Sequence, residues 1–269
     1  MFVSAGSTKR CLGAAALAIA ALTGCGSQPA EAPNPAVTSP PSTSMSMHDH
    51  SNMPGMNSGI SLKNNTPAGD ITMPMLHTHE GMAMADPNPC TAVPTAVQQQ
   101  ATVDLVNKSW ADARKYESLA TAQADGYVPV TPSGRPVVHY INRDYYRATV
   151  DGSPVLDTTR PQSLVYANTS HGAVLVAVMF ISGPFGETPQ PGDCLTQWHV
   201  HTNLCLSRDQ GVVGTIENGC PPGSTNRTTA PMLHIWFVPI PGGPMAIDAS
   251  DPDIVAAAEK VAAPPNGTA

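Results

Sequence analysis

Alternating apolar and polar positions dominate the second half of the chain. Val137 to Asn142, Tyr145 to Val150, Ser163 to Asn168, Ala173 to Ser182, Thr196 to Leu206, Gly211 to Glu217 and Met232 to Pro239 are short runs of this kind, separated by Gly and Pro signals, and they predict strands. A different period governs the stretch opening at Pro94-Thr95. Val103, Val106, Trp110, Ala113, Tyr116 and Leu119 recur at three- and four-residue steps, predicting a helix to about Ala124, with Thr95 as N-cap and Gly126 as its stop. Asp251-Pro252-Asp253 opens a second helix to about Ala262, its acidic first turn complementing the helix dipole. Together these elements predict an α+β, mainly β fold. It reads as a single β-rich sheet or barrel-like domain over residues 90–269, with one long N-terminal helix, a short C-terminal helix and a frayed tail from Pro264.

The pattern disappears toward the N-terminus. Residues 25–89 are rich in Pro, Ser, Asn, Gly and Met and poor in aromatic and β-branched residues, which predicts a disordered tether. Before it, Lys9 and Arg10 precede an apolar run from Leu12 to Leu22 that ends in Leu22-Thr23-Gly24-Cys25. This segment resembles the lipobox signal of bacterial lipoproteins. The resemblance implies a signal peptide over 1–24, acylation of Cys25 with palmitate-type chains, and anchoring outside the cytoplasmic membrane. A second spanning segment is not expected, because the apolar run from Ala173 to Ile181 is about half the length required.

Charge and cysteine content narrow the setting. Formal charge is −7, 12% of residues are charged, and no Lys/Arg cluster offers a phosphate surface, which sets nucleic-acid binding aside. With Cys11 removed in the signal and Cys25 acylated, Cys90, Cys194, Cys205 and Cys220 remain. An even number in an oxidising compartment predicts two disulfides. Three pairings exist; Cys205 with Cys220, closing a short loop, and Cys90 with Cys194, pinning the tether's end to the core, are favoured. Thiolate metal binding is the alternative.

Two copies of a Met/His pattern supply the candidate chemistry. Met45, Met47, His48, His50, Met53 and Met56 form the first; Met73, Met75, His77, His79, Met82 and Met84 form the second, and together they hold eight of the twelve Met. Thioethers and imidazoles recurring on a pliable backbone suit monovalent copper. In this compartment thioethers stay neutral and do not form disulfides.

The β-rich region adds its own histidines. In Trp198-His199-Val200-His201 the two-residue strand period puts both imidazoles on one face. His234 lies in Met232-Leu233-His234-Ile235-Trp236, and His139 in Val137-Val138-His139-Tyr140. If these strands are neighbours, the four imidazoles form a site for copper, zinc or iron. Met232 and Trp236 read as packing, and His171 as a hairpin tip. Gly192, then His199-Val200-His201 and later His234, resembles the first metal motif of the cupins. That resemblance implies His199, His201 and His234 as ligands; Cys205 and Leu206 stand where a cupin has Glu, and His139 is the candidate fourth ligand. Ala124-Asp125-Gly126-Tyr127, His139-Tyr140-Ile141-Asn142, Pro161-Gln162-Ser163-Leu164-Val165-Tyr166 and His234-Ile235-Trp236 also resemble a family of secreted bacterial proteins of unassigned function.

The expected function is a membrane-anchored extracytoplasmic lipoprotein that binds copper for sequestration or transfer. The alternatives are a metalloenzyme with a cupin-like His site and an interaction module with structural histidines. Catalysis is disfavoured, since no HExxH or GxSxG occurs and the acids preceding the His-x-His, Glu187 and Asp193, flank a Gly/Pro loop.

Overall fold

The computed structural model of the chain describes residues 59–73, 81–85, 87–88, 90–132, 134–183 and 186–263. The signal segment, Cys25, Met45, Met47, His48, His50, Met53, Met56, Met75, His77 and His79 lie outside the described residues. Within the stretch whose composition predicts a tether, three short strands form: β1 (Ser61–Leu62), β2 (Ile71–Thr72) and β3 (Met82–Met84). β1 pairs with β2, and Ala68, Ile71 and Met82 are buried. Composition undervalues such a segment. A few apolar anchors suffice when its backbone groups pair with an already formed core.

Thr95 starts α1 (Ala96–Ala113) with a capping box, its hydroxyl accepting from the Gln98 N–H while Gln98 Oε1 accepts from the Thr95 N–H. The expected single helix is broken. A 3₁₀ turn follows at Arg114–Tyr116, and α2 (Leu119–Ala124) restarts after Ser118, which is extended in keeping with its preference for caps over helix interiors. Gly126, at φ +91°, ends the helical layer as expected.

The remaining elements are β4 (Tyr127–Pro129), β5 (Val137–Asn142), α3 (Arg143–Val150), β6 (Ser163–Thr169), β7 (Gly172–Ile181), β8 (His199–His201), β9 (Leu204–Ser207), β10 (Gly211–Thr215), β11 (Ser224–Asn226), β12 (Met232–Trp236) and α4 (Asp251–Ala262). Two expectations are corrected. Tyr145 to Val150 is helical, because Asn142 Oδ1 accepts from the N–H groups of Asp144 and Tyr145 and caps a helix the alternating pattern had disguised. Thr196 to Leu206 is two strands, since a turn at Thr202-Asn203 separates β8 from β9 and sends them to different sheets.

The fold is α+β and mainly β. Its principal sheet has seven antiparallel strands in the order β3-β8-β12-β7-β6-β5-β4; β10-β9-β11 form a second sheet. Leu164, Tyr166, Val178, Phe180, Leu233 and Ile235 on one face of the large sheet join the core with Leu105, Val106 and Ala113 of α1. The opposite face carries Val165, Ala177, Met179, Ile181, Met232 and Trp236, packed with Ile254, Ala257 and Ala258 of α4. Burial of an Ile or Leu in such a layer contributes about 1.5–3 kcal/mol.

Two disulfides are present, Cys90–Cys194 and Cys205–Cys220, the favoured pairing. They fit an oxidising, extracytoplasmic compartment. Among the described residues no helix is long and apolar enough to cross a membrane.

Candidate metal centre

The parity of β8 is fixed by its tryptophan. Trp198 is fully buried in the core on the α1 side, with Nε1–H donating to the Pro189 carbonyl at 2.9 Å, so the pleat turns His199 and His201 to the α4 side. β12 then sets the third imidazole. Met232 pairs directly with His199, and His234, two residues on, shares that face. The ring centroids of His199 and His201 are 5.4 Å apart, and those of His199 and His234 are 5.2 Å apart and nearly parallel.

His139 arrives from farther away. Its strand, β5, stands three places from β12, about 14 Å in a flat sheet. Yet the His139 and His234 rings are 5.8 Å apart. The sheet therefore curls and both side chains lean across it. The register runs His139, Val165, Ala177, Trp236, so His139 stands level with Trp236, two residues along β12 from His234.

His199 is fully buried and His234 is 4% exposed. His234 Nδ1 lies 3.3 Å from the Ile247 carbonyl, so the tautomer donating there leaves Nε2 facing the other rings. Both nitrogens of His199 and Nε2 of His234 are buried with no hydrogen-bond partner in the protein. Each such atom costs about 1–3 kcal/mol. Simple core histidines do not carry this cost.

Burial, with His201 and then His139 adding, pushes the His199 pKa down to about 3. His139 is pushed down to about 4, again chiefly by burial and then by His201. Burial also lowers His201, and it holds His234 well below the usual range, with His199 and His139 contributing. All four rings are thus neutral at pH 7. That is the protonation state in which imidazole binds metal.

The spacing of neighbouring rings is comparable to that around a single ion. With metal–nitrogen bonds near 2.0 Å, imidazoles around one tetrahedral ion place their centroids about 5 Å apart, close to the spacings here. Among the described residues no group of three His, Cys, Asp or Glu side chains is placed to hold a metal ion as it stands. To share an ion, the nearly parallel rings of His199 and His234 would have to reorient.

Other expected residues fall differently. Met82 and Met84 lie on β3, paired with His201 and His199; Met73 follows β2, outside that pairing. His171 occupies the turn between β6 and β7, with Nε2 3.8 Å from Glu259. Asp193 accepts hydrogen bonds from Asn88 and Gln98, which ties the loop to α1. Sequence reasoning passed over Met179, which pairs directly with His234, and Ser163, which pairs with Met179 and has a buried hydroxyl without a partner. Only strand register reveals them. No known protein family, curated protein or solved structure matches the chain.

Proposed function

We propose that the protein is a lipid-anchored extracytoplasmic lipoprotein that binds copper for sequestration or transfer. His139, His199, His201 and His234 form its metal site in the folded domain, and the Met/His repeats capture the ion. The observation that carries this reading is the set of buried imidazole nitrogens without a protein partner. An ion shared by several imidazoles accepts their lone pairs and offsets a desolvation cost that packing leaves standing. The Ile247 carbonyl supports the same role, since a ligating His commonly donates its other ring N–H to such a group.

Four imidazoles fill a tetrahedral set, which favours holding an ion over keeping a position open for substrate. Copper ranks ahead of zinc because thioethers recur in both repeats. The disulfides support an extracytoplasmic setting, and the anchor rests on Leu22-Thr23-Gly24-Cys25.

The test is elemental analysis of the protein isolated from its native envelope, before and after copper exposure, together with the pair variant His199→Ala and His201→Ala. In a chain whose eight repeat Met are Leu, the pair variant loses the remaining bound ion. Equal metal content with and without the pair change, in a folded protein, sinks the reading.

A further inference from the structure

The concave face that gathers the histidines also gathers sulfur. Met84 pairs with His199 and Met82 with His201 from one side, Met232 pairs with His199 from the other, and Met179 pairs with His234. Directly paired residues of an antiparallel sheet share a face, with Cβ atoms about 4.5–5.5 Å apart. Three imidazoles therefore each have a thioether as cross-strand neighbour, and His199 has two.

β3 is the element that makes this arrangement unusual. It is an edge strand held to β8 by pairing, with the Thr202 N–H donating to the Gly81 carbonyl at 2.7 Å and the Ala85 N–H donating to the Trp198 carbonyl at 2.9 Å. Its entry needs glycine. Gly81 has φ +81°, and a Cβ there would stand 2.0 Å from the Asn203 side chain. Beyond Ala85 the chain reaches Cys90, bonded to Cys194 shortly before β8. The end of the second Met/His repeat is thus fastened beside the His-x-His by backbone bonds and a covalent bridge.

We propose that Met82 and Met84, with His199 and His201, form a mixed thioether and imidazole subsite selective for monovalent copper, at the edge of the four-histidine centre. This rests on the reading that the four histidines bind metal. Soft thioethers strengthen a site for Cu(I) and add little for Zn(II), so the β3 methionines set which ion is kept. Met82 is buried and Met84 and His201 are half-buried, so the subsite reaches toward solvent beside the fully buried His199.

The experiment uses the full chain with Met45, Met47, Met53, Met56, Met73 and Met75 changed to Leu, so that sulfur elsewhere in the repeats does not contribute. Cu(I) affinity is measured by competition with bicinchoninate and Zn(II) affinity with a chromophoric chelator, with and without Met82→Leu plus Met84→Leu. Leu for Met nearly conserves volume and leaves packing intact. The double change lowers Cu(I) affinity by about ten- to a hundredfold, as loss of a supporting ligand does, and leaves Zn(II) affinity unchanged. Equal Cu(I) affinity in both chains, or equal losses for the two metals, overturns the proposal while the four-histidine reading stands. Binding of neither metal before the double change overturns both. X-ray absorption of the Cu(I)-loaded chain before and after that change gives a second readout: first-shell sulfur that the change removes supports the subsite, and sulfur that persists unchanged, or a shell of nitrogen alone, refutes it.

Discussion

His199 sets stability against the proposed metal binding most plainly. It is fully buried, neither ring nitrogen has a partner, and His201 and His234 rings stand against it on two sides. A structural histidine in a core satisfies its hydrogen bonds, and losing it destabilises the protein. Here the opposite is expected. His199→Leu, of similar volume, removes two unsatisfied polar atoms and raises the stability of the metal-free protein by about 1–3 kcal/mol while weakening metal binding. Urea unfolding of metal-free protein checks this; a midpoint below that of the unsubstituted chain assigns His199 to the packing of the core. His234 is locked more firmly, stacked on Trp236 at 4.9 Å and bonded to the Ile247 carbonyl.

At the scale of elements, β3 is the piece most easily separated from the rest. It is three residues long and, among the described residues, pairs in the large sheet with β8 alone, and its entry depends on Gly81. Gly81→Ala imposes both an unfavourable φ and an overlap with Asn203. The variant should release β3 while the remaining six strands persist. In hydrogen exchange, the Thr202 and Ala85 amides lose protection and the β6 and β7 amides keep theirs; undiminished protection at Thr202 contradicts the role given to Gly81. Elements of this sort also show what local sequence conveys. Val137 to Asn142 and Asp251 to Ala262 could be read with their observed ends, because alternation and the Ser250 cap with Pro252 are local signals. Arg143 to Val150 was hidden by its aromatic and β-branched residues, although Asn142 held the clue. The shared face of His199 and His201 was legible in the strand period, but their gathering with His234 and His139 was not. It depends on β12 lying between β8 and β7 and on the curl of the sheet, and both are long-range properties.

At the scale of the whole molecule, the two bridges hold the region around β8. Cys194 precedes the His-x-His and Cys205 follows it; the first bridge spans 104 positions and the second 15. In the chain-entropy view the longer closure contributes about 4–5 kcal/mol and the shorter about 3 kcal/mol. Reduction of both should lower the urea midpoint substantially and open the β8 amides to exchange before those of β6. An unchanged midpoint under reductant denies the bridges a stabilising role. The order of strands has a further meaning in time. The thioethers of β3 come long before His234 in the chain, and β12, the last strand, pairs on both sides with strands that precede it. Such non-local pairing is slow. The face where sulfur meets nitrogen therefore joins the two ends of the domain, and it is complete only once the last strand of the sheet has paired.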